Sequence, residues 1–177
     1  MSTQVAGGSQ AAPVTGLFER YHVEVFAYLC RLVHDRQWAE DLMQETFLRA
    51  FDARGHLSQV RNRRAWLYRV ASNLALDGLK RRRRFAWLPL VTADMREGEA
   101  PAEPLSSAER LARHDALEAA LLSLAPAYRA PLLLYAAHGL SVAEVAEVLG
   151  LSVGAVRTRL CRAREAFWQA YAREDDR

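Results

Sequence analysis

The stretch Gly139-Leu-Ser-Val-Ala-Glu-Val-Ala-Glu-Val-Leu-Gly-Leu-Ser-Val-Gly-Ala-Val-Arg-Thr-Arg-Leu160 decides the fold. Ser141 with Glu144 three residues on is a capping-box pattern. It opens a short helix on which Val142, Val145, Ala146 and Leu149 share one face. Gly150 supplies the residue type most at ease in a left-handed turn, Leu151 follows as a core plug, and Ser152 caps a second helix. On that helix Val156, Leu160, Ala163 and Phe167 fall on the inner side, and Arg157, Thr158, Arg159, Cys161, Arg162 and Arg164 on the outer. Two helices joined by a tight glycine turn, the second basic on its free face, form a helix-turn-helix that reads duplex DNA. Arginines on such a face grip phosphates or pair with guanine edges. The bland alternative is a solvated basic face on a structural helix.

Upstream, the same helical spacing recurs. Leu17, Tyr21, Val25, Tyr28/Leu29 and Leu32 form one stripe; Trp38, Leu42, Phe47, Leu48 and Phe51 form a second, with Asp35 as its N-cap. A third runs Trp66, Leu67, Val70, Ala71, Leu74, Leu79 and continues into Lys80–Arg84. Ser106 with Glu109 reads as a capping box opening 111–124, and Pro126 as the start of a helix before Leu132–Tyr135. The class is all-α: two small helical domains joined by a flexible linker, the C-terminal one a helix-turn-helix. The boundaries read as a flexible tail at 1–14, a first domain at 15–85, a linker at 86–108 and a second domain at 109–173.

Charge follows this division. The chain carries 24 Lys/Arg and 21 Asp/Glu, a net charge of +3. Residues 13–84 hold 14 basic and 8 acidic side chains, residues 85–108 hold one against four, and residues 109–177 nine against nine. A basic lobe, an acidic tether with Pro89, Pro101 and Pro104, and a neutral lobe with its arginines gathered on one helix replace an unremarkable total.

Two surfaces mark the first lobe. Asp41-Leu-Met-Gln-Glu-Thr-Phe-Leu-Arg-Ala-Phe51 sets Asp41, Gln44, Glu45 and Leu48 on neighbouring turns, with Phe47 and Phe51 as i, i+4 partners. That is either a solvated polar face or a protein-docking surface. Arg61-Asn-Arg-Arg-Ala-Trp-Leu-Tyr-Arg follows, with Arg61, Asn62, Arg63, Arg64 and Arg69 interleaved with Trp66 and Tyr68. Cations that track phosphate and aromatic faces that accept unstacked bases suit single-stranded nucleic acid. Asn73 adds an amide able to read a base edge, and Lys80 and Arg81 begin a phosphate-gripping run. The alternative for Trp66 is burial in the core, and for Asn73 simple exposure.

Other chemistries find little support. Cys30 and Cys161 stand far apart, so no disulfide scaffold is expected and a reducing cytoplasm fits. The apolar run at 130–137 is far shorter than a membrane span, and 1–13 lacks the pattern of a secretory signal. Cys30 and His34 at i, i+4, with His22 two turns earlier, lack a fourth ligand, so no metal is expected. There is no phosphate loop, His-Glu-x-x-His or nucleophile elbow, so neither an enzyme nor a cofactor is expected.

Three strings, Ala39–Phe51, Ala65–Asp77 and Gly139–Glu165, come in one order across about residues 15–171. In this the chain resembles a bacterial RNA polymerase sigma factor of the extracytoplasmic-function type. The resemblance implies that Asp41, Gln44, Glu45, Phe47 and Leu48 dock on the β′ clamp helices of core polymerase, with the second lobe near the β flap. It implies that Arg61, Asn62, Arg63, Arg64, Trp66, Arg69, Asn73, Lys80 and Arg81 meet the melted −10 element as single strand and duplex backbone. Ser152, Ala155, Arg157, Thr158, Cys161 and Arg162 are implied at the −35 element, and an anti-sigma factor as a partner. The stretch 55–64 departs from the family in being rich in Arg and poor in aromatics. The other function class is a stand-alone helix-turn-helix regulator whose first lobe senses a ligand or dimerises.

Overall fold

A computed structural model describes residues 12–57, 59–85 and 108–175. The helices are α1 (Ala12–Val33), α2 (Arg36–Asp52), the single turn α3 (Arg54–Leu57), α4 (Arg63–Phe85), α5 (Ala108–Ser123), α6 (Pro126–Leu132), α7 (Val142–Leu149) and α8 (Val153–Asp175). Among the described residues there is no strand, in keeping with the all-α reading. No helix among them is long and apolar enough to cross a membrane. Ser106 and residues 86–107 of the expected linker lie outside the described residues.

Local chemistry sets most of the ends. Asp35 caps α2, its carboxylate accepting from the Trp38 N–H at 2.8 Å. Its neighbour His34 closes α1 in the left-handed region at φ 53°. α1 starts earlier than the expected tail boundary: it begins at Ala12, and Val14 is only 6% exposed. Pro13 stands in its first turn, where its missing N–H costs nothing. α6 opens on Pro126 as expected, but Pro131 lies inside it, and the chain then widens into a π-helical turn over Leu133–Ala137. A proline that cannot donate to the preceding turn weakens the ladder where it widens.

α1, α2 and α4 pack around Val25, Tyr28, Leu29, Leu32, Ala39, Leu67 and Ala71, all fully buried. Inside this bundle the Tyr28 hydroxyl meets the Ser72 hydroxyl at 2.8 Å. That satisfies both groups, as burial requires. α5, α6, α7 and α8 pack around Leu121, Leu124, Leu134, Val145, Val148, Val156 and Leu160. The two bundles do not stand apart: α4 lies along α7, and α1 meets α5 and α6, so their buried residues form one continuous core. Nothing in the periodicity of the sequence announces this contact.

Candidate nucleic-acid and polymerase interface

The helix-turn-helix is built as its sequence suggests. The Ser141 hydroxyl accepts from the Glu144 N–H at 3.2 Å, and the Glu144 carboxylate accepts from the Ser141 N–H at 2.8 Å. Gly150 takes φ 63°, ψ 39°, a left-handed cap at the end of α7. The Ser152 hydroxyl accepts from the Ala155 N–H at 3.1 Å and so starts α8. Val156, Leu160 and Ala163 are buried, which fixes the rotation of α8. Arg157, Thr158, Cys161 and Arg162 are consequently exposed together, with Ser152 exposed at the helix start and Ala155 half-buried beside them. Thr158 donates its hydroxyl to the Gly154 carbonyl at 3.1 Å. Arg164 turns away from this face, its guanidinium 5.2 Å from the Tyr135 ring centroid.

Along α4 the predicted residues split into two groups. Trp66, half-buried against the core, leads a helical stripe on which Arg69, Asn73 and Lys80 are exposed. Lys80 pairs with Asp77 at 3.3 Å, and Arg81 donates to the Asp77 carbonyl. Arg61, Asn62, Arg63 and Arg64 instead wall a polar cleft of about 610 Å³ closed by Arg20 and Tyr21 of α1. The Asn62 side-chain carbonyl accepts from the Ala65 N–H at 3.0 Å, so it caps α4 as well as facing the cleft. Arg63 donates to the Leu57 carbonyl at 3.1 Å. One expectation fails here. Tyr68 is fully buried, with its hydroxyl 2.9 Å from His138 Nδ1, so no base can stack on it. Burial, with the Glu24 carboxylate beside it, raises its phenol above the ordinary range.

On α2, Asp41, Gln44 and Leu48 are exposed, Leu48 at 60%. Glu45 is half-buried and pairs with Arg49 at 2.8 Å. Phe47 corrects the sequence reading. It is 7% exposed and meets the Phe18 ring edge-on at 5.0 Å, so it supports this face from inside and cannot itself be a contact. Phe51, which the sequence offered only as its partner, is the exposed aromatic, with Arg54 over its ring at 4.5 Å.

Of the metal candidates, Cys30 is half-buried against the core, and His22 Nδ1 is bonded to the Phe18 carbonyl at 2.8 Å. Sequence reasoning missed His138, Glu24 and Glu144 as partners of the basic segment. Arg64 bonds Glu24 at 3.2 Å and the His138 carbonyl at 2.6 Å, and the Asn62 amide bonds Glu144 at 2.8 Å. The Ser141 N–H and hydroxyl, joined by the Asn62 amide, hold the Glu144 carboxyl below its usual range.

His138 supplies a pH prediction. Burial, assisted by Arg31 of α1 and Arg64 of α4 and opposed by Glu24, lowers its imidazole from 6.5 to about 4. Its Nε2 is buried without a hydrogen-bond partner. An imidazolium there would therefore carry an unsatisfied N–H. The unfolded chain takes up the proton near pH 6.5 and the folded chain only near pH 4. Stability is therefore complete above pH 6.5 and falls as the pH drops through that window, by about 2 kcal/mol once partial exposure is allowed for. Urea unfolding at pH 7.5 and pH 4.5 reads this loss, and His138→Gln should shrink the difference.

Residues 17–85 match the family model described as Sigma-70 region 2, and residues 114–167 the one described as Sigma-70, region 4. The RNA polymerase sigma-H factor of Pseudomonas aeruginosa is 35% identical over 158 residues, 85% of this chain and 82% of that protein. RNA polymerase sigma factor YlaC of Bacillus subtilis is 30% identical over 155 residues, 85% of this chain and 87% of that protein. Among solved structures, the sigma factor RpoE of Bartonella quintana, in complex with the anti-sigma factor NepR, superposes with a TM-score of 0.73 at 23% identity. That match covers 89% of this chain and 96% of that one. CnrH, in complex with the cytosolic domain of CnrY, gives 0.65 at 29% identity over 93% of this chain and 90% of that one.

Proposed function

Because the chain belongs to the sigma-70 family of RNA polymerase sigma factors, we propose that it is of the extracytoplasmic-function type and that its three exposed surfaces divide the work of promoter-directed initiation. In this reading the chain binds core polymerase, carries it to a specific set of promoters and assists melting, with no catalysis of its own. The exposed Asp41, Gln44 and Leu48 of α2 meet the β′ clamp helices, with Glu45 at the edge and Phe51 in the place first given to Phe47. The second lobe sits by the β flap. Arg61–Arg64, with Trp66, Arg69 and Asn73, receive the melted −10 strand, whose unstacked bases need a basic, part-aromatic cleft of the kind walled by Tyr21 and the arginines. Lys80 and Arg81 hold backbone phosphates. An anti-sigma factor, the kind of partner that RpoE has in its solved complex, restrains the chain. Its place of work is where polymerase is, the cytoplasm.

The observation that carries this reading is the face of α8: Arg157, Thr158, Cys161 and Arg162 exposed together on a helix whose start and rotation are fixed by caps and core. The test is transcription in vitro by core polymerase with and without this chain on a genomic library, followed by sequencing of transcript starts. Discrete new starts are expected. None at all, together with tight operator binding by the chain alone, would favour the stand-alone regulator.

A second prediction concerns the −35 contacts. Arg157→Ala and Arg162→Ala should each lower transcript yield from such a promoter about tenfold, in line with the worth of one good base or phosphate contact. Of the two, the one that grips phosphate should also flatten the dependence on salt. Unchanged yield in both variants, measured on short transcripts, would show that α8 is not the reading helix.

A further inference from the structure

We propose that the apolar groove between α5 and the C-terminal half of α8 is filled by this chain's own linker, through the stretch Trp87-Leu-Pro-Leu-Val91. The groove has a volume of about 430 Å³, within the range of clefts that hold ligands. Its walls include Leu117 and Leu121 of α5, Leu133 of the π-helical turn, and Phe167 and Trp168 of α8. Leu117 is 41% exposed and Trp168 63%. A contiguous apolar surface left in water marks a docking place. Arg31 of α1 and Arg164 of α8 are the charged residues that line it. Arg31 already pairs with Glu118, whereas Arg164 has no carboxylate partner among the described residues.

The chain enters and leaves residues 86–107 beside this groove. At the entry, Arg82 in the last turn of α4 donates to Asp35 at 3.2 Å, and Asp35 follows Arg31 by four residues. At the exit, α5 is itself a wall of the groove. Extended backbone advances about 3.3 Å per residue, so the chain from Phe85 to Val91 reaches about 20 Å. That is comparable to the two side chains and one helical turn that separate α4 from Arg31. Composition selects the same stretch. Trp87, Leu88, Leu90 and Val91 are the one cluster of large apolar side chains in 86–107, and residues 1–11 are small and polar apart from Met1 and Val5. Pro89 disfavours a helix and biases Leu88 to extended backbone, so the stretch would enter as an extended peptide. Asp94, Glu97 and Glu99 follow, with Arg96 among them, and their sign is opposite to that of Arg164 and Arg31. Tethering supplies the rest. A segment on a short flexible chain acts at an effective concentration of about 1 mM, so a contact of about 1 mM affinity already fills the groove half of the time. The linker is then more than a spacer: it shields Leu117 and Trp168 from water, and any protein that uses the groove competes with it.

The test compares the full chain with a Trp87→Ser/Leu88→Ser/Leu90→Ser variant, whose changes lie outside α1–α8. A fluorescein-labelled peptide of residues 86–100 is titrated into both. It should bind the variant about fivefold more tightly than the wild type, as expected for a Kd of about 0.25 mM against an internal competitor at about 1 mM. Adding Leu117→Gln to the variant should remove most of that binding, which locates the peptide in the groove. In protein labelled with 5-fluorotryptophan, the Trp168 resonance should move between wild type and variant. No binding to the variant, equal affinity in the two chains, binding that Leu117→Gln leaves unchanged, or a Trp168 resonance that stays in place overturns the proposal. A second copy of the chain in the groove would show as a sedimenting dimer and a Trp168 resonance that shifts with protein concentration, and that result overturns it too.

Discussion

Replacing Arg129 with Met is expected to cost about 3 kcal/mol of folding stability, on the scale of hydrogen bonds made by a buried charged group. Arg129 is 7% exposed, yet its guanidinium reaches three carbonyls: Leu32 at 3.0 Å, Leu122 at 2.6 Å and Leu124 at 2.8 Å. Leu32 lies at the end of α1, and Leu122 and Leu124 lie at and just beyond the end of α5. The final carbonyls of a helix have no partner within it, and a cation there also opposes the negative end of the dipole. Against this stands desolvation, which lowers the Arg129 pKa, and the unpaired, buried Nε. Buried ion pairs are often replaced by apolar side chains without loss. Here the acceptors are backbone groups that a substitution cannot remove, so Met would leave them facing an apolar side chain. Hydrogen bonding therefore outweighs the relief of desolvation. Lysine should recover little, because an ammonium on one stem cannot span acceptors on two helices as a planar fork does. Urea denaturation of the three chains decides the matter: a Met variant as stable as wild type would mean that water or helix repacking satisfies all three carbonyls.

The helix-turn-helix could be read because its determinants are local: Ser141, Glu144, Gly150 and Ser152 act on backbone within four residues of themselves. The stripes of α1, α2 and α4 were equally readable from spacing. Phe47 was misjudged because the polar and apolar stripes of α2 adjoin. Only the buried series Ala39, Leu42, Thr46 and Ala50 shows that Phe47 lies on the core side and Leu48 on the free side. Tyr68 was misjudged for a different reason. Its burial depends on His138, seventy residues on, and no periodicity reports a polar partner at that range. The seam between the lobes is held by such pairs, Asn62 with Glu144 and Arg31 with Glu118. Each of these residues has many conceivable partners of suitable charge, and only the packing of α4 on α7 and of α1 on α5 selects among them.

At Gly78 two backbone and packing effects of opposite sign meet, and the expected result is a reversal that depends on Trp38. Glycine within a helix costs about 1 kcal/mol relative to alanine, so Gly78→Ala on an open face of α4 would stabilise. Here a Cβ would stand 2.5 Å from Trp38 Cζ2 and 3.2 Å from Cη2. The indole has no easy retreat. Arg82 lies over its ring at 3.6 Å from the centroid, and Arg82 is itself held by Asp35 at 3.2 Å, the residue that caps α2. Overpacking of this kind costs about 1–3 kcal/mol, so Gly78→Ala should destabilise by roughly 1 kcal/mol net. Gly78→Val, with two further methyl groups and a weaker helix propensity, should destabilise by about 3 kcal/mol. In a Trp38→Leu background the obstacle is gone and the propensity gain remains, so adding Gly78→Ala should be neutral or stabilising. The difference between the two backgrounds is the coupling between the sites, which a double-mutant cycle by chemical denaturation measures directly. If Gly78→Ala has the same effect with and without the indole, the ring moves freely and the clamp of Asp35, Trp38 and Arg82 does not hold α2 against α4. If the sign reverses, that clamp fixes the angle at which α4 presents Lys80 and Arg81, and only hydrogen fits at position 78 beneath the ring.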